Sequence, residues 1–192
     1  QCYEASGWGS CDSSPDTFIS LSPEYSNSVT NGTGVGILKS DLCSDALNIN
    51  DGSGLQEEVC GTNETYNYYN WTSDETNSQT KSIYVNYQLP STFKEFVAGS
   101  TSLIGRTDSV NSSVSYQIYR NSGQDGLTAC GDPIQVSTGN KSSWQIGTAV
   151  GTSDPSDCGF VAGETVVIKI TLSSASNANA YASTLNFAFS NK

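Results

Sequence analysis

The sequence predicts an all-β protein, a single antiparallel β-sandwich of the Ig-like or jelly-roll kind. Three observations carry that expectation. From about residue 81 onward apolar and polar residues alternate with a period of two; clusters of Gly, Asn, Asp and Ser punctuate the alternation; and no window of useful length keeps a helical period.

A strand sends successive side chains to opposite faces, so residues two apart share one. Over residues 81–89 this groups Ile83, Val85, Tyr87 and Leu89; over 113–120 it groups Val114, Tyr116 and Ile118. Trp144, Ile146 and Val150 follow the same rule, then Val166, Ile168, Ile170 and Leu172, and last Tyr181, Leu185, Phe187 and Phe189. Residues 91–97, after Pro90, fit one turn of helix with Phe93, Phe96 and Val97 inward. The N-terminal third reads differently: it is irregular, loop-rich and acidic, with short apolar bursts at 17–21, 34–38 and 66–71. The expected organisation is an N-terminal segment over residues 1–33 and a sandwich over 34–192.

The 192 residues suffice for one sizeable sandwich. Charged residues supply only 14% of the chain, while Ser, Thr and Asn supply about a third, so the surface is wetted by hydroxyls and amides rather than ion pairs. That texture suits secreted and surface-displayed β proteins. The net charge is −11, and eight Lys and Arg are spread thinly, which leaves no basic patch for nucleic acid or anionic lipid. No apolar run approaches the ~20 residues of a membrane-spanning helix. The expected location is extracellular or cell-surface; the chain opens at Gln1 without a signal peptide and reads as already processed.

Six cysteines, Cys2, Cys11, Cys43, Cys60, Cys130 and Cys158, without a CxxC pair point to structural disulfides in an oxidising compartment. Pairing is open from spacing alone; the sequential scheme Cys2–Cys11, Cys43–Cys60 and Cys130–Cys158 closes a polar, Gly-rich loop each time. A zinc site is the sharper alternative, but the chain has no His and the spacing is irregular. The absence of His also removes Ser-His-Asp and Cys-His catalysis. Paired carboxylates of a glycosidase stay chemically open, yet no spacing singles out a pair. The expectation is no enzyme, no cofactor and no metal. A looser calcium site on Asp41, Asp45 or Asp51 competes with a solvated loop; an EF-hand alignment fails because Leu47 and Ile49 fall where oxygen ligands belong.

Sequons begin at Asn31, Asn63, Asn70, Asn111 and Asn140, about as many as sixteen asparagines give by chance, and are permitted glycan acceptors. The aromatic run 66–71, with Tyr69 and Trp71 foremost and Trp8 as an outlying member, offers a platform for stacking on sugar rings. Its competitor is that alternate members face the core or a subunit contact.

Residues 85–96, 102–108 with 113–120, and 178–189 resemble a family of uncharacterised environmental surface proteins, pilus-like extracellular fibre subunits in which the N-terminal strand of one protomer completes the Ig-like domain of another. The resemblance covers about residues 80–192. It implies a homopolymer, with the chain itself as partner and no catalytic residues. The donor strand should then be Thr17–Ser22, with Thr17, Ile19 and Leu21 entering the acceptor and Phe18 and Ser20 on the opposite face. The plainer alternative makes 17–22 an edge strand of its own chain. The leading expectation is a structural subunit of a helical fibre joined by donor-strand exchange. Its rival is a secreted carbohydrate- or receptor-binding sandwich, an adhesin- or tail-fibre-like module.

Overall fold

Alternation of β-branched and aromatic residues with polar ones makes strand after strand, seen in a computed structural model that describes residues 2–4, 7–9, 16–44, 65–121, 126–141 and 143–192. In chain order the strands are β1 (Cys2–Glu4), β2 (Gly7–Gly9), β3 (Thr17–Leu21), β4 (Ser28–Asn31), β5 (Gly36–Ser44), β6 (Thr65–Ser73), β7 (Gln79–Gln88), β8 (Phe93–Phe96), β9 (Ser102–Asn121), β10 (Leu127–Asn140), β11 (Gln145–Thr148), β12 (Thr165–Ser174) and β13 (Asn179–Asn191). Two short 3-10 turns, Gly151–Ser153 and Pro155–Cys158, precede β12. No described helix is long and apolar enough to cross a membrane.

Beyond the small β1–β2 pair, one antiparallel eleven-stranded sheet folds over on itself. The first layer runs β4-β7-β12-β9-β10. The second runs β5-β6-β13-β9-β11, and β3 and β8 flank the last residues of β13. The long β9 belongs to both: Ser102–Thr107 pairs with β13, and Ser113–Asn121 pairs with β12. Its bend lies at residues 108–112, and β10 follows it through three register shifts.

The core is what the alternation points inward. Ile83, Val85, Val114, Tyr116, Ile118, Val166, Ile168, Ile170 and Leu172 of the first layer meet Trp71, Leu103, Leu185, Phe187 and Phe189 of the second. Removing each such side chain from water is worth about 1.5–3 kcal/mol. The polar tips of the largest buried side chains are paired: the Tyr116 hydroxyl donates to Thr101 O at 3.1 Å and lies 3.2 Å from Gly147 O, and Trp71 Nε1 donates to Gln79 O at 3.1 Å. Tyr25 donates to Ser183 O, and burial, with Tyr69 nearby, pushes its pKa well above the ordinary value.

Three local expectations are corrected. Residues 93–96 form a strand, not a helical turn, because β8 pairs with β13 through a register shift between Ser190 and Asn191; Phe93 and Phe96 are both buried there, and Val97 is half-buried. Trp144, Ile146 and Val150 do not share an inward face: Trp144 is buried, whereas Ile146 is 68% and Val150 70% exposed. The inward positions are Gly147 and Ala149, since the layers pinch at β11; a Cβ on Gly147 would lie 2.8 Å from Val136 Cγ2. Tyr181 parts from Leu185, Phe187 and Phe189 because the β13–β9 register shifts between Ala182 and Leu185. It packs instead with Tyr68 and Trp144 on the opposite side of the second layer, with ring centroids 5.7–6.2 Å apart.

Candidate functional site

The strands that bury one face of the first layer expose the other. On β7 the outward residues are Ser82, Tyr84 and Asn86; on β12, Val167, Lys169 and Thr171; on β9, Ser115, Gln117 and Tyr119. Register aligns them into rows across the strands. Lys169 lies opposite both Tyr84 and Gln117, Thr171 opposite Ser82 and Ser115, and Val167 opposite Asn86 and Tyr119. All but the buried Val167 are half-exposed.

Lys169 Nζ sits 5.9 Å from the centroid of the Tyr84 ring, a cation–π contact that holds the ammonium on this face. The amide and phenol groups beside it are tied down: Tyr119 donates to Gln117 Oε1 at 2.7 Å, Gln117 Nε2 to Gly131 O at 2.8 Å, and Asn86 Nδ2 to Asn27 O at 3.1 Å. By contrast, the hydroxyls of Ser82, Tyr84, Ser115 and Thr171 make no hydrogen bond among the described residues. The result is an open surface with two tyrosine rings, Tyr84 and Tyr119, one positioned cation and four uncommitted hydroxyls, each able to donate and to accept.

A cleft elsewhere has another character. An open cleft of about 260 Å³ is lined by Arg120, Thr128, Cys130, Gly131, Asp157 and Cys158, among others, beside the Cys130–Cys158 disulfide (Cα–Cα 5.7 Å). Its cation is already committed, because Arg120 Nε lies 2.9 Å from both carboxylate oxygens of Glu164. Burial pushes the Glu164 carboxyl up, but the Arg120 hydrogen bonds, the Val161 N–H and the Arg120 charge outweigh it and hold the group below its usual range. The buried Asp154 is likewise spent on structure: its carboxylate accepts from Gly99 N at 2.6 Å and Ser156 N at 2.9 Å, fastening the loops before β9 and β12.

The sequence-derived site residues fall as follows. Tyr69 (7% exposed) and Trp71 (1%) face the core from β6, so neither offers a ring to a sugar; the expected platform gives way to its competitor, burial. The alternation within β6 causes this, since Tyr69 and Trp71 share the inward face. Thr17–Leu21 lies beside β13 of its own chain, Thr17 opposite Phe189 and Leu21 opposite Leu185. Ile19 and Leu21 pack against the core, while Phe18 is 77% exposed. Cys11, Cys60, Asn63, Asp45 and Asp51 lie outside the described residues, and so do the Cys2–Cys11 and Cys43–Cys60 bridges. Asp41 is exposed, and its Oδ1 accepts from Leu42 N at 2.8 Å. Among the described residues no three of His, Cys, Asp or Glu gather where a metal could sit. Asn31, Asn111 and Asn140 are exposed, and Asn70 is half-buried.

Sequence reasoning did not single out Tyr84, Lys169 and Thr171 as a candidate site. The signal was present: the polar members of the 81–89 and 165–174 alternations must share the face opposite the core.

No protein family matches the chain, and no curated protein does. Among solved structures, it is similar to TmCBM61, solved with beta-1,4-galactotriose, at TM-score 0.47 and 11% identity over 84% of this chain and 88% of that one. It is also similar to the family 11 carbohydrate-binding module of Lic26A-Cel5E of Clostridium thermocellum, at TM-score 0.40 and 12% identity over 93% and 95%. A third is the enzymatically active domain of bacteriophage CBA120 tailspike protein 4, at TM-score 0.42 and 11% identity over 89% of this chain and 19% of that one. At such identities no residue of theirs carries over.

Proposed function

We propose that this chain is a secreted, non-catalytic module that binds uncharged glycans on the outer face of its first layer. The carrying observation is the Tyr84–Lys169 pair set among the uncommitted hydroxyls of Ser82, Ser115 and Thr171. A sugar ring presents an apolar C–H face and a rim of hydroxyls. Tyr84 meets the first by stacking, and the hydroxyl rows and the Lys169 ammonium meet the second. The surface is open rather than enclosed, so it suits a glycan chain lying across the strands more than a small buried ligand. The net charge of −11 disfavours anionic sugars and favours neutral ones. A glycan array probed with the folded protein tests this: neutral oligosaccharides should be retained, and retention should fall at least about tenfold, or ~1.4 kcal/mol, in Tyr84→Ala and in Lys169→Ala. Equal retention by both variants would refute the reading.

A second reading, a homopolymeric fibre subunit, is favoured by one observation. Among the described residues β3 is an edge strand that pairs only with β13, its inner residues Ile19 and Leu21 pack against the core, and residues 10–16 lie between it and β2 in the chain. In a polymer the same strand of a neighbouring copy would occupy that place, satisfying the backbone of β13 while Ile19 and Leu21 enter the same pockets. Electron microscopy of the wild type should then show filaments, and deletion of residues 1–22, or Ile19→Asp with Leu21→Asp, should leave subunits that do not polymerise. Unaltered filaments from the deleted chain would exclude exchange through β3.

A further inference from the structure

The described sequons are not scattered. Asn31 ends β4 opposite Ser82, and the chain then passes close to Thr80, near the start of β7. Asn111 lies in the bend of β9, where its carbonyl accepts from Ser78 Oγ at 3.2 Å in the turn between β6 and β7. Asn140 ends β10 opposite Asp108, at the other side of the same bend. The three therefore occupy one pole of the sandwich. The start of β3 and the end of β13 lie at the other pole, where Asn191 Nδ2 donates to Thr17 Oγ1 at 2.7 Å.

Each of the three is exposed at the end of a strand or in a bend, and its carboxamide nitrogen makes no hydrogen bond among the described residues. Asn31 Oδ1 accepts from Gly32 N at 2.7 Å, which holds the exposed side chain through its oxygen and leaves the nitrogen unengaged. Asn70 differs in position and burial. It sits within β6, with Lys39 of β5 on one side and Tyr181 of β13 on the other, and is half-buried. The hydroxyl of its own sequon, Thr72, is engaged by Asn179 Oδ1 and lies 3.5 Å from Asn70 Oδ1. A glycan joined there before folding would have to be accommodated between two paired neighbours.

We infer that N-linked glycans are carried at this single pole, on Asn31, Asn111 and Asn140, and not on Asn70. In the transfer, the carboxamide nitrogen attacks the anomeric carbon of a lipid-pyrophosphate-linked oligosaccharide. The N–C bond forms as the C–O bond to pyrophosphate breaks, the lipid pyrophosphate leaves with the electron pair, and the amide proton is released. Spacing alone leaves five equivalent motifs; placement separates the described four into three acceptors and one non-acceptor.

The test is to secrete the full chain from a cell line with N-linked glycosylation and treat the tryptic peptides with peptide N-glycosidase in heavy-oxygen water, which converts each glycosylated Asn to heavy aspartate. Heavy aspartate is expected at positions 31, 111 and 140, with unmodified asparagine at 70. Conversion at Asn70, or an unconverted residue at any of the three pole positions, would overturn the inference.

Discussion

Along β7, β12 and β9 one backbone carries two unlike surfaces. Inward stand Ile83 and Val85, then Val166, Ile168, Ile170 and Leu172, then Val114, Tyr116 and Ile118, all buried to within a few per cent. Outward, one residue along, stand Ser82, Tyr84 and Asn86, then Lys169 and Thr171, then Ser115, Gln117 and Tyr119, all half-exposed. The inner surface loses its water on folding and provides the stability. The outer surface keeps its water and adds little to folding, so its residues are free to serve recognition. A strand therefore separates the two tasks by parity, and adjacent positions should answer mutation in opposite ways.

The sharpest break between the faces is expected at the neighbours Ile170 and Thr171. Ile170→Ala removes a fully buried side chain and should cost about 2–5 kcal/mol through lost burial plus a cavity. Thr171→Ala should stay within about 0.5 kcal/mol. Denaturant unfolding of both variants measures the contrast, and comparable losses would erase the distinction between the faces.

Next in size is the disulfide that ties β10 to the 3-10 turn before β12. Cys130→Ser with Cys158→Ser opens a loop of sequence separation 28 and should cost about 2–4 kcal/mol, read as a lower unfolding midpoint under non-reducing conditions. A smaller effect is expected inside the core at Thr101, whose buried Oγ1 has no hydrogen-bond partner among the described residues. Thr101→Val keeps the shape and removes an unsatisfied group, so stability should hold or rise by up to about 1 kcal/mol. A marked loss would mean the hydroxyl is satisfied in solution.

The smallest effect is electrostatic. Because the folded state holds Glu164 below its ordinary pKa, its contribution is full above the unfolded pKa of about 4.3 and is lost as pH falls through the lower folded value. Glu164→Gln should therefore narrow its deficit against the wild type as the solution is acidified. A deficit that is constant with pH would show that the Arg120 pair contributes nothing through ionisation.

The sandwich was legible because its strands obey parity: the inward residues of 81–89, 113–120 and 166–172 could be named from spacing, and so could Leu185, Phe187 and Phe189. Parity fails where the backbone slips. The register shift between Ala182 and Leu185 sends Tyr181 to the far side, and the pinch at Gly147 sets Ile146 outward; neither leaves a periodic mark. The site was harder to read for a different reason. A run such as 66–71 stands out by composition, but its aromatic residues at 69 and 71 are used for burial, whereas Tyr84 is a single aromatic between Ile83 and Val85 and gains its character from Lys169, distant in sequence and adjacent only across the β7–β12 ladder.

The central claim is that the outer face recognises a neutral glycan independently of the core. Calorimetric titration of wild type and Tyr84→Ala with the best oligosaccharide from the array, alongside their unfolding curves, tests it most directly. The expected result is an affinity at least about tenfold weaker for Tyr84→Ala with a stability change below about 1 kcal/mol, the scale of an exposed cation–π contact. Unchanged affinity with unchanged stability would contradict the claim, and so would weaker binding that merely tracks a large loss of stability.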